Sequence, residues 1–160
     1  IIDTSNLTPR QLKQEIHKLF VEGKPFSGLI ISVISFGFKY GVPIDCDLVF
    51  DVRFIPNPYY IDSLKNLTGN DNEVNDYVMS FHESRVFLAK LVDLLDFLIP
   101  NYVKEGKNQL VIGIGCTGGK HRSVAIANRL FEILKAKNSS VVLEHRDIDK
   151  DNRRMKYESS

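Results

Sequence analysis

Residues 115–123 carry the strongest chemical character of this sequence, reading Gly-Cys-Thr-Gly-Gly-Lys-His-Arg-Ser. The segment lies between an apolar run that predicts a strand and a periodic run that predicts a helix. Gly118 and Gly119 allow backbone N–H groups to turn inward, and a helix N-terminus adds unpaired N–H groups and a positive dipole end. The pattern predicts an anion-binding loop, and we expect a phosphorylated ligand there.

The side chains of this loop add further donors. Three basic residues follow the glycines, and an arginine can hold two phosphate oxygens at once. The alternative, a plain strand-to-helix turn with surface charges, is the minority interpretation for such a run of basic residues. The predicted phosphate-binding residues of the loop are Cys116, Thr117, Gly118, Gly119, Lys120, His121, Arg122 and Ser123.

The spacing from Cys116 to Arg122 and Ser123 also matches the phosphatase pattern C-x5-R-[ST], in which a thiolate attacks phosphorus. A phosphatase needs a general acid as well, and no spacing singles one out among Asp45, Asp47, Asp51 and Asp62. Lys120 and His121 favour noncatalytic binding, because we expect their side chains to crowd the loop. Cysteine phosphatase chemistry through Cys116 remains the alternative.

Other site types find little support. The nucleoside triphosphate pattern G-x-x-x-x-G-K-[ST] is absent, since Gly119-Lys120 is followed by His121. The histidines show no metal-ligand spacing, so we expect no metal. No cofactor is expected in this domain, and we expect it not to be an enzyme.

Alternating strand and helix patterns predict the elements that position the loop. Buried strands are predicted for residues 29–36, 48–52 and 109–115, and a fourth strand for residues 140–145. Helices are predicted for residues 9–22, 70–80, 81–99 and 122–137, with Pro100 ending the third. Its inner face is predicted to be Phe87, Leu88, Leu91, Leu94, Leu95 and Leu98. The order indicates an α/β fold: a single domain with a mostly parallel sheet flanked by helices.

The carboxyl ends of parallel strands meet at one edge, where ligands bind. Lys39 and Tyr40 follow the first strand and are candidate ligand contacts. Asp51 and Arg53 follow the second, either as an ion pair or as contacts to sugar hydroxyls. Asn57, between two prolines, is either a turn former or a rigidly placed donor.

Composition limits the class of protein. The 160 residues fit one domain, and 43% hydrophobic with 26% charged residues is typical of a soluble globular chain. The net charge of +1 creates no overall attraction to nucleic acid. No apolar run reaches the ~18 residues that span a bilayer, so we expect no membrane contact. Two cysteines in unlike contexts indicate a reducing cytoplasm.

Four motifs in order resemble the carboxyl-terminal domain of the RapZ/YvcJ family, described as nucleotide-binding or RNase adapter proteins. They are residues 35–41, 51–58, 67–69 and 115–123, and the resemblance covers residues 1–149. Residues 1–5 resemble the junction after the family's P-loop kinase-like domain. We therefore expect residues 1–160 to be one ligand-sensing domain of a longer protein, with a charged, mobile tail at residues 147–160.

The resemblance implies the function. In the enterobacterial branch this domain binds glucosamine-6-phosphate and small regulatory RNAs; elsewhere the family is linked to amino-sugar metabolism. Binding or hydrolysis of ATP or GTP would belong to the other domain. The family's ligand contacts correspond to Thr117, Gly118, Arg122 and the position of Tyr40. We expect a phosphorylated amino sugar or a nucleotide sugar as ligand, regulatory proteins and small RNA as partners, and a homo-oligomer.

Two departures from the enterobacterial pattern alter these expectations. That branch has His where this chain has Tyr40, so the preferred ligand could be a nucleotide sugar such as UDP-N-acetylglucosamine. The enterobacterial tail is a basic run used for RNA, whereas residues 147–160 here carry four positive and four negative charges. Strong nonspecific RNA affinity therefore does not follow, and an RNA-binding adapter module is a further alternative.

Overall fold

The computed structural model describes residues 28–138 and 140–150. The helix predicted for residues 9–22 and residues 151–160 of the predicted tail lie outside these ranges. The described strands are β1 (Ile30–Gly37), β2 (Leu48–Asp51), β3 (Gln109–Cys116) and β4 (Val141–His145). The helices are α1 (Asp62–Lys65), α2 (Asn72–Met79), α3 (His82–Glu105) and α4 (Arg122–Lys137), with short 3₁₀ helices at Phe38–Tyr40 and Pro58–Tyr60.

The four strands form one sheet in the order β2-β3-β1-β4, and its three described strand pairs are all parallel. The register sets Gly37 beside Cys116, and Asp51 beside Gly115. Strands β1, β2 and β3 therefore end together at one edge. The predicted α/β fold with a parallel sheet is confirmed.

The burial of each strand follows from its place in the sheet. β1 is central and buried along its whole length, and β3 is buried except at its first residue. The prediction of a buried strand at residues 48–52 is wrong, because β2 lies at the edge and alternates between half-buried and exposed residues. Val49 keeps 40% of its surface exposed. An apolar run by itself does not distinguish an edge strand from a central one.

Helices α3 and α4 bury their apolar stripes in the core. α4 packs against β1, β3 and β4, and α3 packs against α4. On α3, Leu88, Leu91 and Leu95 are buried as predicted, whereas Leu94 points away and is 42% exposed. The apolar stripe of α3 is therefore narrower than its leucine content indicates. No described helix has the length and apolar composition needed to cross a membrane.

The prediction that Pro100 ends the long helix is wrong. α3 continues through Pro100 to Glu105 and ends at Gly106, whose φ of 97° lies in the left-handed region. A proline inside a helix disturbs the carbonyl groups of the preceding turn. The Asn101 side chain donates to the Phe97 carbonyl at 2.7 Å within this part of the helix. Pro100 is also exposed, so its ring meets no neighbouring element.

Candidate functional site

Three segments meet at the carboxyl edge of the sheet. The backbone N–H of Lys39 donates to the Thr117 carbonyl at 3.2 Å, which joins the segment after β1 to the loop after β3. The N–H of Val52 donates to the Gly115 carbonyl at 2.9 Å, which joins the segment after β2. These bonds place the predicted rim residues around residues 116–123, named here the anion loop.

Glycines allow the anion loop to contact β1 backbone to backbone. Gly119 has a φ of 75°, which a residue with a side chain rarely adopts. A Cβ on Gly119 would lie 2.6 Å from the Gly37 nitrogen, and one on Gly37 would lie 2.4 Å from the Gly118 carbonyl carbon. The two segments can approach this closely because neither glycine has a side chain.

Cys116 lies at the base of this loop and is 3% exposed. Its Sγ accepts a hydrogen bond from the Gly119 N–H at 3.3 Å. Its thiol also donates to the Ser123 hydroxyl at 3.1 Å, and Ser123 is fully buried in the first turn of α4. The sulfur is therefore held by the middle of the anion loop and by its far end.

Arg122, the first residue of α4, is buried with 5% of its surface exposed. Its Nη1 donates to the carbonyls of Arg53 and Ile55, both at 2.9 Å. Its Nη2 lies 3.3 Å from the Oγ1 of Thr117, an exposed residue of the anion loop. Its Nε is buried and has no hydrogen-bond partner among the described residues. The Nε–H and one Nη2–H point the same way from a guanidinium, so this edge lies toward Thr117.

Lys120 and His121 reach away from Cys116, toward the end of α1. Both are at most 5% exposed. His121 Nε2 lies 3.1 Å and Lys120 Nζ 3.4 Å from the Lys65 carbonyl oxygen. Burial, with the neighbouring Lys120 charge, lowers the pKa of His121. Since a carbonyl oxygen only accepts, the neutral ring must carry its proton on Nε2. Their role as phosphate ligands stays a prediction, and this geometry favours an anchoring role instead.

Asp51 and Arg53 form an ion pair at the rim, with Arg53 Nη2 at 2.6 Å from Asp51 Oδ2. The Arg53 side-chain hydrogen bond lowers the pKa of Asp51. The Arg53 guanidinium also stacks over the Phe38 ring, 4.1 Å from its centroid. Asn57 Oδ1 accepts from the Tyr59 N–H at 3.1 Å, which favours the turn-forming interpretation. Sugar contacts by these residues remain predictions.

Lys39 and Tyr40 stand on the opposite side of the anion loop, after β1. The Lys39 ammonium lies 5.2 Å from the centroid of the Tyr40 ring, and the Lys150 ammonium lies 5.0 Å from it. Such cation–π contacts fix the ring near the rim. Tyr40 thus stays a candidate ligand contact, held by basic side chains.

The comparisons with known proteins decide the family. The profile described as "RapZ C-terminal domain" matches residues 29–149. This chain belongs to the RapZ C-terminal domain family. It is 69% identical over 153 residues to a "Nucleotide-binding protein" of Acetivibrio thermocellus, covering 96% of this chain and 53% of that protein. A "Nucleotide-binding protein" of Ruminiclostridium cellulolyticum is 66% identical over 151 residues, covering 94% and 52%. The chain spans about half the length of the curated relatives it matches.

Asp147 is a buried residue of this RapZ C-terminal domain that the sequence patterns did not single out. Its side chain is 0% exposed and accepts from the Gly37 N–H at 2.8 Å, from Arg146 Nη2 at 2.7 Å and from Lys150 Nζ at 2.6 Å. Burial acts to raise its pKa, but these hydrogen bonds outweigh it and the pKa is lowered. Acidic and basic residues lie close together from Arg146 to Lys150, which is a sequence signal for local ion pairing. The predicted charged tail at residues 147–160 did not take this signal into account.

The residues that the structure describes offer no cluster of metal ligands. Within residues 28–138 and 140–150, no group of three or more His, Cys, Asp or Glu side chains is arranged to hold a metal ion. His145, the described histidine nearest to the end of the sheet, is instead held by Ser35 Oγ at 2.6 Å and Asn128 Oδ1 at 2.9 Å.

Proposed function

We propose that this domain senses a phosphorylated amino sugar, such as glucosamine-6-phosphate, or a nucleotide sugar, such as UDP-N-acetylglucosamine. The observation that carries the proposal is the free guanidinium edge of Arg122, with a buried, unpartnered Nε beside an Nη2 that makes one long contact to Thr117. Two parallel N–H groups match two oxygens of a phosphate. Membership in the RapZ C-terminal domain family supports the same ligand class.

The burial of Arg122 supports an anion as the ligand of its guanidinium. A buried donor without a partner costs about 1 to 3 kcal/mol, more for a charged group. Nη1 is already committed to two backbone carbonyls, which fixes the plane of the guanidinium. A phosphate that accepts from Nε and Nη2 removes the deficit and neutralises a buried charge.

The rim offers contacts for the rest of the ligand. Asp51 and Arg53 form their ion pair with nearly half of each side chain exposed. A carboxylate has acceptor capacity beyond one arginine, so Asp51 can also bind the ammonium group of an amino sugar. Tyr40 supplies a hydroxyl and a ring face across the loop. We propose that these residues select the sugar and that the anion loop selects the phosphate.

Nucleotide binding in the named relatives is assigned here to the half of their length that this chain does not span. The 160 residues contain no G-x-x-x-x-G-K-[ST] pattern, which is the usual loop for a nucleoside triphosphate. We therefore propose no ATP or GTP site in this domain.

Calorimetry with a matched ligand panel tests the sensing proposal. The panel is glucosamine-6-phosphate, glucose-6-phosphate, glucosamine, UDP-N-acetylglucosamine and inorganic phosphate. We expect a phosphorylated amino sugar or the nucleotide sugar to bind most tightly, and glucosamine to bind at least about tenfold more weakly than its phosphate, a difference of about 1.4 kcal/mol. Equal affinity for glucosamine and glucosamine-6-phosphate would contradict the proposal.

Signalling to partners is the second half of the proposal. Small RNA and regulatory proteins are the expected partners, and a homo-oligomer is the expected assembly. Because Asp147 holds the end of β1, a truncation that tests RNA binding should begin after Lys150 and remove residues 151–160. A salt-dependent RNA mobility shift that this truncation abolishes, with sugar affinity retained, would favour an RNA-binding adapter. Sedimentation equilibrium tests the oligomer.

A further inference from the structure

Cys116 has surroundings that anion binding alone does not require. Its sulfur accepts from the Gly119 N–H at 3.3 Å and lies 3.1 Å from the Ser123 hydroxyl. A hydroxyl hydrogen can rotate, so Ser123 accepts from the thiol and can donate to a thiolate. Both contacts therefore persist when the proton leaves. The sulfur lies at the base of the loop whose other end carries Arg122.

The start of α4 adds to this environment. α4 begins at Arg122, and its N-cap residue His121 makes no side-chain capping bond. The positive end of the helix dipole lies at the anion loop. No side-chain oxygen of the N-cap residue occupies the unpaired N–H groups there. A negative charge on a bound phosphate is stabilised by the same groups.

The sequence favoured a noncatalytic loop partly because we expected the side chains of Lys120 and His121 to crowd it. Both side chains instead reach the Lys65 carbonyl on α1. The segment between Cys116 and Lys120 contains only Thr117, Gly118 and Gly119. Attack on phosphorus by a thiolate requires small residues and backbone amides around the sulfur. The loop beside Cys116 provides both, because Lys120 and His121 do not crowd it.

Arg122 is a second and independent pointer to a ligand on the same loop. It is 5% exposed, and its unpartnered Nε is buried beside the Nη2 that contacts Thr117. A phosphate held on this edge would be bound by Arg122, six positions after Cys116. The nucleophile and the anion receptor therefore belong to one loop.

We propose that Cys116 is a phosphoryl acceptor toward aryl phosphates and other monoesters with an acidic leaving group, an activity that rests on the proposed phosphate site. The thiolate attacks phosphorus, an S–P bond forms, and the P–O bond to the leaving group breaks. The leaving oxygen departs with the electron pair as a phenolate and takes its proton from water. Water then attacks phosphorus, the S–P bond breaks, and inorganic phosphate leaves the restored thiolate.

The leaving-group restriction follows from the carboxyl groups beside the loop. Asp51 is paired with Arg53, whose hydrogen bond holds the pKa of Asp51 low, and the partners of Asp147 hold its pKa low as well. Both are carboxylates at neutral pH and have no proton to give. A sugar phosphate has an alkoxide leaving group that needs such a proton. Sugar phosphates should therefore bind without being cleaved, which suits a sensor.

Turnover of p-nitrophenyl phosphate by the 160-residue chain tests the proposal. Cys116→Ser should lower turnover by at least about a thousandfold, whereas Cys46→Ser, at the other cysteine, should leave it unchanged. Acid quenching should trap a phosphoryl group on the peptide that contains Cys116. Phenyl phosphate, with a weaker acid as leaving group, should turn over far more slowly, and glucosamine-6-phosphate should inhibit competitively.

The outcomes separate this inference from the sensing proposal. Circular dichroism and calorimetry check that Cys116→Ser folds and binds glucosamine-6-phosphate within about tenfold of the unaltered chain, as expected if the amides and Arg122 hold the anion. Turnover that persists in Cys116→Ser overturns the phosphoryl-acceptor role. Normal sugar-phosphate binding without any turnover also overturns it and leaves the sensing proposal intact. Equal rates for the two aryl phosphates would overturn the leaving-group restriction.

Discussion

The Asp147 carboxylate accepts a hydrogen bond from the Gly37 N–H at 2.8 Å, between residues 110 positions apart. Gly37 ends β1, and its backbone packs against Gly118 and Gly119 of the anion loop. Asp147 follows the last residue of β4 by two positions. One carboxylate thus fixes the ends of two strands behind the loop, which links the stability of the sheet edge to the shape of the candidate site.

Asp147→Asn should lower the free energy of unfolding by about 2 to 3 kcal/mol, because it weakens a buried, charge-assisted network. Urea unfolding at pH 7 measures the change. The matched control is Asp96→Asn, which removes an ion pair with Lys137 in which nearly half of each side chain is exposed. That control should change stability by about 0.5 kcal/mol or less. Equal effects of the two variants would contradict the role assigned to Asp147.

Gly119→Ala should destabilise the domain by about 2 kcal/mol or more, because alanine at a φ of 75° is strained and its Cβ would meet the Gly37 nitrogen at 2.6 Å. Sugar-phosphate affinity should fall with it as the loop shifts. Gly28→Ala is the control, since a Cβ at Gly28 meets nothing within 4 Å. Thermal unfolding and calorimetry on both variants make the comparison. A Gly119→Ala domain as stable as Gly28→Ala would show that the close approach is dispensable.

His145 should make stability depend on pH. Burial lowers its pKa to about 4, so the unfolded chain takes up a proton near pH 6.5 that the folded chain refuses until about pH 4. The neutral ring's contribution is complete above about pH 6.5 and is lost as pH falls toward 4, by up to about 3 kcal/mol. Urea unfolding at pH 7 and pH 4.5 should show a smaller loss in His145→Gln than in the unaltered chain. The loss that remains in the variant includes that of His121, whose pKa burial also lowers.

The exposed His82 provides the control for that experiment, because His82→Gln should keep the pH dependence of the unaltered chain. Nuclear magnetic resonance gives a direct check. The His145 ring should stay neutral through pH 5, with its Nε2–H donating to Asn128 Oδ1 and its Nδ1 accepting from Ser35. Titration of this ring near pH 6.5 would refute the prediction.

Arg122→Ala should weaken binding of glucosamine-6-phosphate by about 2 kcal/mol or more, since it removes a bidentate charged partner. Arg122 is buried and holds the carbonyls of Arg53 and Ile55, so stability should fall as well. Arg129→Ala, two turns along α4, is the control. Calorimetry on the folded fraction measures the affinity for glucosamine-6-phosphate. An unchanged affinity would contradict phosphate binding by the anion loop.

Sequence alone determined the fold class and the location of the candidate loop. Strand and helix periodicities are local properties, and β1, β3, β4 and α4 lie within a residue or two of their predicted bounds. Glycines followed by basic residues between a strand and a helix are also a local signal, so residues 115–123 were found without the structure. Pro100 was misjudged because a helix can continue through an exposed proline, and periodicity does not report that exposure.

Only the tertiary structure decided where the basic side chains of the loop point. Lys120, His121 and Arg122 are consecutive and basic, yet the first two reach the carbonyl of Lys65, while Arg122 keeps one guanidinium edge unpaired. The difference arises because Lys65 and Ile55 belong to segments more than fifty residues away in sequence. The same holds for Asp147, whose burial depends on the approach of Gly37. Local chemistry selects the residues of a site, and long-range packing sets their directions.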